Sequence, residues 1–373
     1  MTHYPILRTA LLCAGLTIPT TFALAADVNN TEAPNVQSYP YIEGELIWEL
    51  QGDFTTESDD RDSELNDIFG YLEVAASIYL SDKFQVNFVL VGEPLRDPDP
   101  REDRFFEDHG LYLEVLNAQY NFSENTNVVA GKFGPGFGTA WDVTPGIYGV
   151  DFAEDYELAE FIGVGLNHTF DGGGFGEVTF GANIFFADTT FLSDSIITKR
   201  GQTDVLEGGA GNTEELDNFS ITLDGAELPT MEGFSWHLGY RHLSAGLGDV
   251  DDEQGFVAGF IQETDFGDEK SAVFNLEVAT FDNFGGSADD VNYLTAGLTL
   301  ADGPWHLDLA GTLRDIDVNG GPDHDDVQLQ ASVGYTDQHD IDWNVGYRYA
   351  EEYGVQSDTF GIFITKAVEF SSN

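Results

Sequence analysis

Apolar and polar residues alternate along most of the chain after residue 40. In the segment 41–51, for example, apolar Leu46, Trp48 and Leu50 are interleaved with polar residues such as Glu49. Successive side chains of a β-strand point to opposite faces, so this pattern predicts strands with one apolar and one polar face. The pattern predicts sixteen strands, near 41–52, 67–80, 84–93, 110–122, 126–133, 158–170, 176–187, 217–227, 233–243, 254–264, 271–282, 290–300, 304–315, 326–336, 340–350 and 357–370.

The connections between these strands alternate in length. The short, turn-like ones are 81–83, 123–125, 171–175, 229–231, 265–269, 301–303 and 337–339. The long, acidic ones are 53–66, 94–109, 134–157, 188–216, 244–253, 283–289, 316–325 and 351–356. A soluble β-sandwich is the alternative fold, but it has no reason to collect every long loop at one end. The chain is therefore predicted to be all-β, a 16-stranded antiparallel transmembrane β-barrel with short periplasmic turns and long external loops.

The polar face of the predicted strands indicates what the barrel encloses. Gln328, Gln330 and Ser332 lie on one such face, and Asn344 and Arg348 lie on another. A cylinder of sixteen strands is too wide to be filled by side chains. These polar faces therefore predict a water-filled lumen.

The N-terminus has the features of an export signal. Arg8 precedes the apolar stretch 9–18, and the small-residue site at 23–25 predicts cleavage before Ala26. A membrane anchor is the alternative, but the apolar run is about half of the ~20 residues that a spanning helix needs. Lipoprotein processing at Cys13 is a second alternative, disfavoured by the large Leu12 before it. The predicted organisation is a signal peptide at 1–25, an N-terminal periplasmic segment at 26–40 and a barrel domain at 41–370.

The charge of the chain is strongly negative. The sequence has 14 Lys and Arg against 67 Asp and Glu; the predicted signal peptide contains one of the basic residues, Arg8, and none of the acidic ones, so the mature charge is -54. Such a charge disfavours nucleic acid as a partner and predicts a weak cation preference for a pore. The other explanation of the negative charge is a salt-rich habitat, because salt screens the repulsion between acidic residues and lets them accumulate on the surface without a function.

The third long loop and the last strand carry a family resemblance. The sequence 130–133 precedes the loop 134–157, and the last strand alternates apolar residues up to Phe370. In these features the chain resembles the Gram-negative outer-membrane porin superfamily of the sixteen-stranded type, and more loosely the siderophore-type porins. It departs from porins where residues 371–373 follow the final aromatic and where Lys366 falls on the lipid-facing register, close enough to the interface to snorkel.

The resemblance implies a passive diffusion channel of the cell outer membrane whose third loop folds into the lumen. Its expected partners are outer-membrane lipid, lipopolysaccharide, and small hydrophilic solutes or ions. It also implies a homotrimer, for which Gly44 and Ala76 would permit close packing between subunits. An anchoring barrel without a pore is a further alternative.

The third loop is the predicted site of selectivity. Carboxylates in a narrow passage attract cations and repel anions, and opposing basic residues shape the field. The candidate constriction residues are Asp142, Asp151, Glu154, Asp155 and Glu157 of the loop, with Lys132, Arg241, Arg314 and Arg348 on the lumen-facing register. The alternative is that the acidic residues are simply solvated and that the basic ones pair with neighbouring carboxylates.

Aromatic residues of the same loop suggest a second function. Phe137, Trp141, Tyr148, Phe152 and Tyr156 would form a stacking platform in a channel selective for a siderophore or a sugar.

Catalytic and cofactor chemistry is not indicated. No Ser-centred G-x-S-x-G motif occurs, and the glycine-rich segment 171–176 is a turn between strands and does not open a helix. Acidic clusters such as 249–253 lack the spacing of a calcium-binding EF-hand, although external loops of this composition leave Ca²⁺ binding open. The prediction is no enzyme activity, no cofactor and no metal site.

Overall fold

The structure is a computed structural model that describes residues 38–372. The predicted signal peptide at 1–25 and residues 26–37 of the predicted N-terminal segment lie outside the described residues.

Sixteen long antiparallel strands form a closed barrel, and a seventeenth, short strand lies in a loop. Each long strand pairs with its neighbours in the chain, and β1 closes the cylinder by pairing with β17 from Glu43↔Ser371 to Ser58↔Ser357. All sixteen predicted strands are therefore confirmed. The strands are β1 (Tyr41–Ser58), β2 (Asn66–Tyr79), β3 (Phe84–Gly92), β4 (Arg104–Phe105), β5 (Tyr112–Ser123), β6 (Thr126–Phe133), β7 (Phe161–Asp171), β8 (Glu177–Ala187), β9 (Asn218–Ala226), β10 (Phe234–Leu243), β11 (Glu253–Gly267), β12 (Lys270–Asp282), β13 (Asp290–Asp302), β14 (Trp305–Asp317), β15 (His324–Thr336), β16 (Asp342–Glu352) and β17 (Val355–Ser371).

The short strand β4 was not predicted. It lies in the long connection between β3 and β5, residues 93–111, which we call loop 2. Arg104 and Phe105 pair in parallel with Asp67 and Ile68 of β2, beyond the end of β3. The Arg104 guanidinium also binds the Asp67 carboxylate, so loop 2 covers the part of β2 that β3 leaves without a partner.

The two faces of the barrel differ as the alternation predicts. Outward-facing Trp48, Leu238 and Ile362 are exposed, whereas polar residues on the inner face such as Thr295 and Gln328 are buried. An apolar outer surface around a polar interior is what a barrel in lipid requires. No helix in the described range 38–372 has both the length and the apolar composition needed to cross a membrane.

One outward position differs from the sequence-based interpretation, and a second agrees with it. A side chain built on Gly44 would lie 2.6 Å from the ring of Phe370 and 2.8 Å from the Cβ of Ala76. The chain's own Phe370 therefore fills the space that Gly44 and Ala76 were expected to offer a second subunit. Lys366 does face outward, and its ammonium donates a hydrogen bond to the carbonyl of His339 in a short turn.

Candidate pore and its lining

The third long connection, residues 134–160 between β6 and β7, enters the lumen and is called loop 3. Its start is held by Glu277, a carboxylate on the lumenal face of β12 that is 2% exposed. Glu277 accepts hydrogen bonds from the backbone N–H groups of Thr139 (2.7 Å) and Ala140 (3.1 Å), and from the hydroxyl of Tyr156 (2.7 Å). One buried carboxylate thus fixes both the four-residue helix α1 (Ala140–Val143) and the returning end of loop 3.

A histidine provides a second anchor beside the first. His237 of β10 accepts a hydrogen bond from the Gly138 N–H at its Nε2 atom, over 3.1 Å. Its Nδ1 atom lies 2.5 Å from Asp224. Because Nε2 accepts, the ring proton is on Nδ1 and is donated to the carboxylate.

The tip of loop 3 reaches the opposite wall. The Tyr148 hydroxyl donates to Asp53 of β1 over 2.7 Å. Gln330 of β15 donates to the Pro145 carbonyl over 3.0 Å, and Gln328 donates to the carbonyl of Tyr148. Loop 3 therefore crosses the lumen from β10 and β12 to β1 and β15, as the fold prediction required.

Three lumenal arginines each stack on an aromatic residue of loop 3. Such stacking places the weakly hydrated guanidinium plane against a ring face. The pairs are Arg241 on Phe137, Arg314 on Phe152 and Arg348 on Tyr148, at 4.8, 4.3 and 4.9 Å from guanidinium carbon to ring centroid.

The same three arginines are paired with carboxylates. Arg314 and Arg348 bind Asp155 and Asp151 of loop 3, each over 2.7 Å. Arg241 binds Glu253 over 2.7 Å and donates to the Tyr156 carbonyl over 2.6 Å. The contacts of these three arginines therefore agree with the alternative given in the sequence analysis, in which the lumenal basic residues pair with neighbouring carboxylates.

The aromatic residues do not form the predicted platform. Phe137, Tyr148, Phe152 and Tyr156 are at most 2% exposed. Apart from Tyr148, they pack into an apolar cluster with residues of the barrel wall. Of these four residues, Phe137 borders the smaller lumenal cavity, and the other three line neither cavity. Trp141 is only partly buried. Among the five predicted platform residues, it is the one that borders the larger of two cavities in the lumen, which are described next.

That larger cavity, which we call the passage, lies between loop 3, loop 2 and the wall of β1, β2 and β17. It has a volume of about 610 Å³. Among the residues that the structure describes, eight carboxylates and four arginines line it. They are Glu45, Glu49, Asp53, Asp67, Glu93, Asp97, Asp142 and Glu154, with Arg96, Arg104, Arg200 and Arg348.

The five predicted loop carboxylates have different positions. Asp142 and Glu154 line the passage, whereas Asp151 and Asp155 bind arginines. Glu157 follows the short helical turn Glu154–Tyr156, and its backbone N–H donates a hydrogen bond to the Glu154 carbonyl over 3.1 Å. Burial raises the pKa of Asp142 to about 6 from its usual value of 3.8.

Lys132 is not in the lumen, contrary to the prediction. Its cross-strand partners, Leu116 and Ile162, lie on the outward-facing register. Its ammonium is buried and pairs with Glu160 (2.7 Å) and Asp188 (2.8 Å). The alternation runs unbroken through this part of β6, since Val129 and Phe133 line a lumenal cavity and Lys132 lies between them in register with outward residues.

Most of the passage lining was not among the predicted site residues. Glu45, Glu49 and Asp53 follow one another on the lumenal face of β1, and the alternation of that segment already placed the two glutamates on its polar face. Arg104 comes from loop 2 and Arg200 from the connection 188–217 between β8 and β9, where no periodic pattern exists. The strand carboxylates were therefore detectable from sequence, whereas the loop arginines were not.

A second lumenal cavity of about 160 Å³ lies on the other side of α1. It shares Trp141 and Asp142 with the passage, so these two residues stand between the cavities. Its remaining wall comes from β5 to β10 and from the start of loop 3. Within residues 38–372, no three acidic, histidine or cysteine side chains are grouped closely enough to hold a metal ion.

A closed 16-stranded barrel with an apolar outside, a polar lumen and an inserted third loop is the fold of Gram-negative outer-membrane porins. No family model matches the sequence, and no curated protein is significantly similar to it. The similarity to solved structures is therefore one of fold.

Three solved structures illustrate this similarity. OprB of Pseudomonas putida aligns with a TM-score of 0.60 and 12% identity, over 88% of this chain and 94% of that one. The outer membrane channel DcaP of Acinetobacter baumannii aligns at 0.56 and 12% identity, over 89% and 99%. OccK1 of Pseudomonas aeruginosa aligns at 0.53 and 11% identity, over 88% and 99%.

Proposed function

We propose that this protein is a passive diffusion channel for small hydrophilic solutes and ions, with a weak preference for cations. The observation that carries the proposal is the passage beside loop 3, which has a volume of about 610 Å³ and whose lining includes twelve charged side chains among apolar ones. Water and ions enter a lumen of this kind because the lining replaces part of their hydration.

The preference for cations follows from how the charges of the passage are compensated. Each of its four arginines has a carboxylate within 4 Å, namely Asp108, Asp67, Glu160 and Asp151 for Arg96, Arg104, Arg200 and Arg348. Three of these carboxylates, all but Asp67, come from outside the lining. The arginines are therefore locally neutralised, one of them by the lining residue Asp67. Burial raises the pKa of Glu93 to about 8, so this carboxyl is mainly protonated at pH 7. The other six lining carboxylates leave a net negative potential.

The remaining parts of the proposal concern export and assembly. The chain is exported by the signal peptide at 1–25, and the residues from 41 to 370 form the barrel domain. We further propose that it assembles as a homotrimer in contact with lipid and lipopolysaccharide. The likeness of the fold to porins supports this assembly. Because Phe370 of the same chain packs against Gly44, we place the subunit contact elsewhere on the outer face.

Planar-bilayer recording tests the proposal. The purified protein should give ohmic current in KCl, and a KCl gradient should produce a zero-current potential of the sign that cation flow generates. Absence of conductance would support an anchoring barrel without a pore. A potential of the opposite sign would contradict the cation preference, but it would not contradict the proposed channel function.

A further inference from the structure

Outside the lumen, a buried cluster of charged groups lies where β6, the end of loop 3 and the connection 188–217 meet. Lys132, one residue before the end of β6, has a side chain that is 0% exposed. Its ammonium nitrogen Nζ lies 2.7 Å from Oε2 of Glu160 and 2.8 Å from Oδ2 of Asp188, whose side chain is 1% exposed. The same nitrogen donates a hydrogen bond to the carbonyl of Leu192 over 3.1 Å. Three segments of the chain thus converge on one amine.

The two oxygens of the Asp188 carboxyl group have different surroundings. Oδ1 accepts hydrogen bonds from the backbone N–H (2.8 Å) and the hydroxyl (2.7 Å) of Thr190. Oδ2, which faces Lys132, accepts no hydrogen bond from any residue in the range 38–372. Two donors directed at one oxygen stabilise the negative charge that collects there when a nucleophile attacks the carbonyl carbon. The carboxyl group therefore has one oxygen that is held in place and one that can leave.

From this arrangement we infer that Lys132 and Asp188 form an intramolecular isopeptide bond, and that Glu160 transfers a proton during the reaction. The overall change is the condensation of an ammonium and a carboxylate to an amide and one water molecule, so it needs no oxidant and no co-reactant. Proximity favours the reaction, because two groups held in a reacting geometry have effective concentrations of about 10⁵ M or more. Burial favours it too, since a site without water disfavours both charged reactants relative to the neutral amide.

Each proton of the Lys132 ammonium has a destination. The first passes from Nζ to Oδ2 of Asp188 over their 2.8 Å contact, which leaves a neutral amine beside a carboxylic acid. Nζ then attacks Cγ, the C–N bond forms, and the negative charge collects on Oδ1, to which Thr190 donates. Glu160 takes the second proton from Nζ and gives it to Oδ2, the Cγ–Oδ2 bond breaks, and Oδ2 leaves as water. The third proton stays on the amide nitrogen, where the Leu192 carbonyl accepts its hydrogen bond.

The bond cross-links two external parts of the barrel. It fastens the end of β6, from which loop 3 leaves the wall, to the connection 188–217, which places Arg200 at the passage. The predicted mature chain contains no cysteine, so a disulfide cannot supply this cross-link. The inference goes beyond the proposed channel function and does not depend on it.

Peptide mapping by mass spectrometry of the purified full-length protein tests the inference. Digestion should release one branched peptide that joins the segment containing Lys132 to the segment containing Asp188. Its mass should be that of the two linear peptides less one water molecule, and the linear peptides themselves should be missing. Because the readout is confined to these two segments, processing of the N-terminus does not affect it.

Glu160→Gln distinguishes a covalent bond from an ion pair. The variant keeps Lys132 and Asp188, but a carboxamide does not take up the proton, so bond formation should slow about 100-fold or more and linear peptides should predominate. Asp188→Ala removes the carbon that is attacked and should give linear peptides alone. The matched control is Glu215→Gln, an exposed glutamate of the same connection, which should yield the branched peptide as wild type does.

Three outcomes would contradict the inference. Wild-type protein that yields only the linear peptides would overturn it and leave Lys132, Glu160 and Asp188 as an ion-paired cluster. A branched peptide that joins other residues would overturn it as well. An equal yield of the branched peptide in wild type and Glu160→Gln would overturn the role of Glu160. If Glu160→Gln does not fold, the wild-type map still decides whether the bond exists, and planar-bilayer conductance remains a separate test of the channel.

Discussion

The two sides of the lumen differ in what loop 3 does there. Toward β10 to β14, the loop packs Phe137, Phe152 and Tyr156 against Phe281 and Tyr293. Toward β1, β2 and β17 the same loop presents Asp142 and Glu154 to the passage. One loop thus packs against one wall and lines a cavity at the other, because its apolar and acidic residues face opposite walls.

The largest effect is expected from removing the anchor on the side where loop 3 packs against the wall. Glu277→Ala would leave the N–H groups of Thr139 and Ala140 and the Tyr156 hydroxyl without their acceptor. Hydrogen bonds to a charged group contribute about 1.5–3 kcal/mol each, so the loop should detach from β12 at a total loss above about 3 kcal/mol.

Single-channel conductance of Glu277→Ala should therefore rise and become noisy, and the thermal unfolding temperature should fall. Glu277→Gln keeps one acceptor oxygen, so its conductance and its unfolding temperature should lie between those of wild type and Glu277→Ala. Unchanged conductance in Glu277→Ala would mean that the aromatic cluster alone holds the loop.

A smaller effect is expected from a charge on the side of the passage. Arg348→Gln removes the partner of Asp151 at the edge of the passage. A unit charge about 4 Å from an ion in a water-like medium contributes about 1 kcal/mol, with opposite sign for cations and anions, so the cation-to-anion permeability ratio should increase by up to roughly 30-fold. The zero-current potential in a KCl gradient measures this, and Arg61→Gln, in an exposed external loop, is the control.

The next effect depends on pH. The pKa of Asp142 is raised to about 6, so its carboxylate is charged above that value and neutral below it. Cation selectivity should therefore decrease as pH is lowered from 7 to 5, by less than the change in Arg348→Gln. Asp142→Asn should give the low-pH selectivity at every pH in this range. A pH response that persists in Asp142→Asn would assign the titration to another group.

The smallest effect is expected on the outer face of the passage side. Lys366→Met removes an outward ammonium that contacts a turn carbonyl near the membrane boundary. Substitutions of charged residues near the interface change stability by about 0–1 kcal/mol. Its unfolding temperature should scarcely change and its conductance should be that of wild type, whereas a selectivity change would show that Lys366 acts on the lumen.

The limits of the strand predictions have a physical origin. β1 was predicted to end near 52 but continues to Ser58, where it still pairs with β17. Outside the lipid, a strand no longer needs apolar residues on alternate positions, so the pairing continues after the pattern stops. Lys132 shows a different error, since the alternation of β6 runs unbroken through Gly131 and places Lys132 on the outward register together with Ala130.

The ion pairs of the site were not predictable from the sequence. Arg348 and Asp151 are 197 residues apart, and Arg314 and Asp155 are 159 apart. The sequence placed all four in the lumen or in loop 3, but which carboxylate meets which arginine depends on the path of the loop. The same applies to the aromatic residues, whose exposed or buried state depends on the wall that the loop contacts.

The sequence by itself determined the barrel, its sixteen strands and the loop that enters it, because alternation and loop length are local properties that a membrane barrel imposes on every strand. Only the tertiary structure decided that Asp142 faces the passage while Asp151 is neutralised, and that Phe137 is buried while Trp141 is accessible. These outcomes depend on contacts between distant segments across the lumen, and no short-range pattern in the chain encodes them.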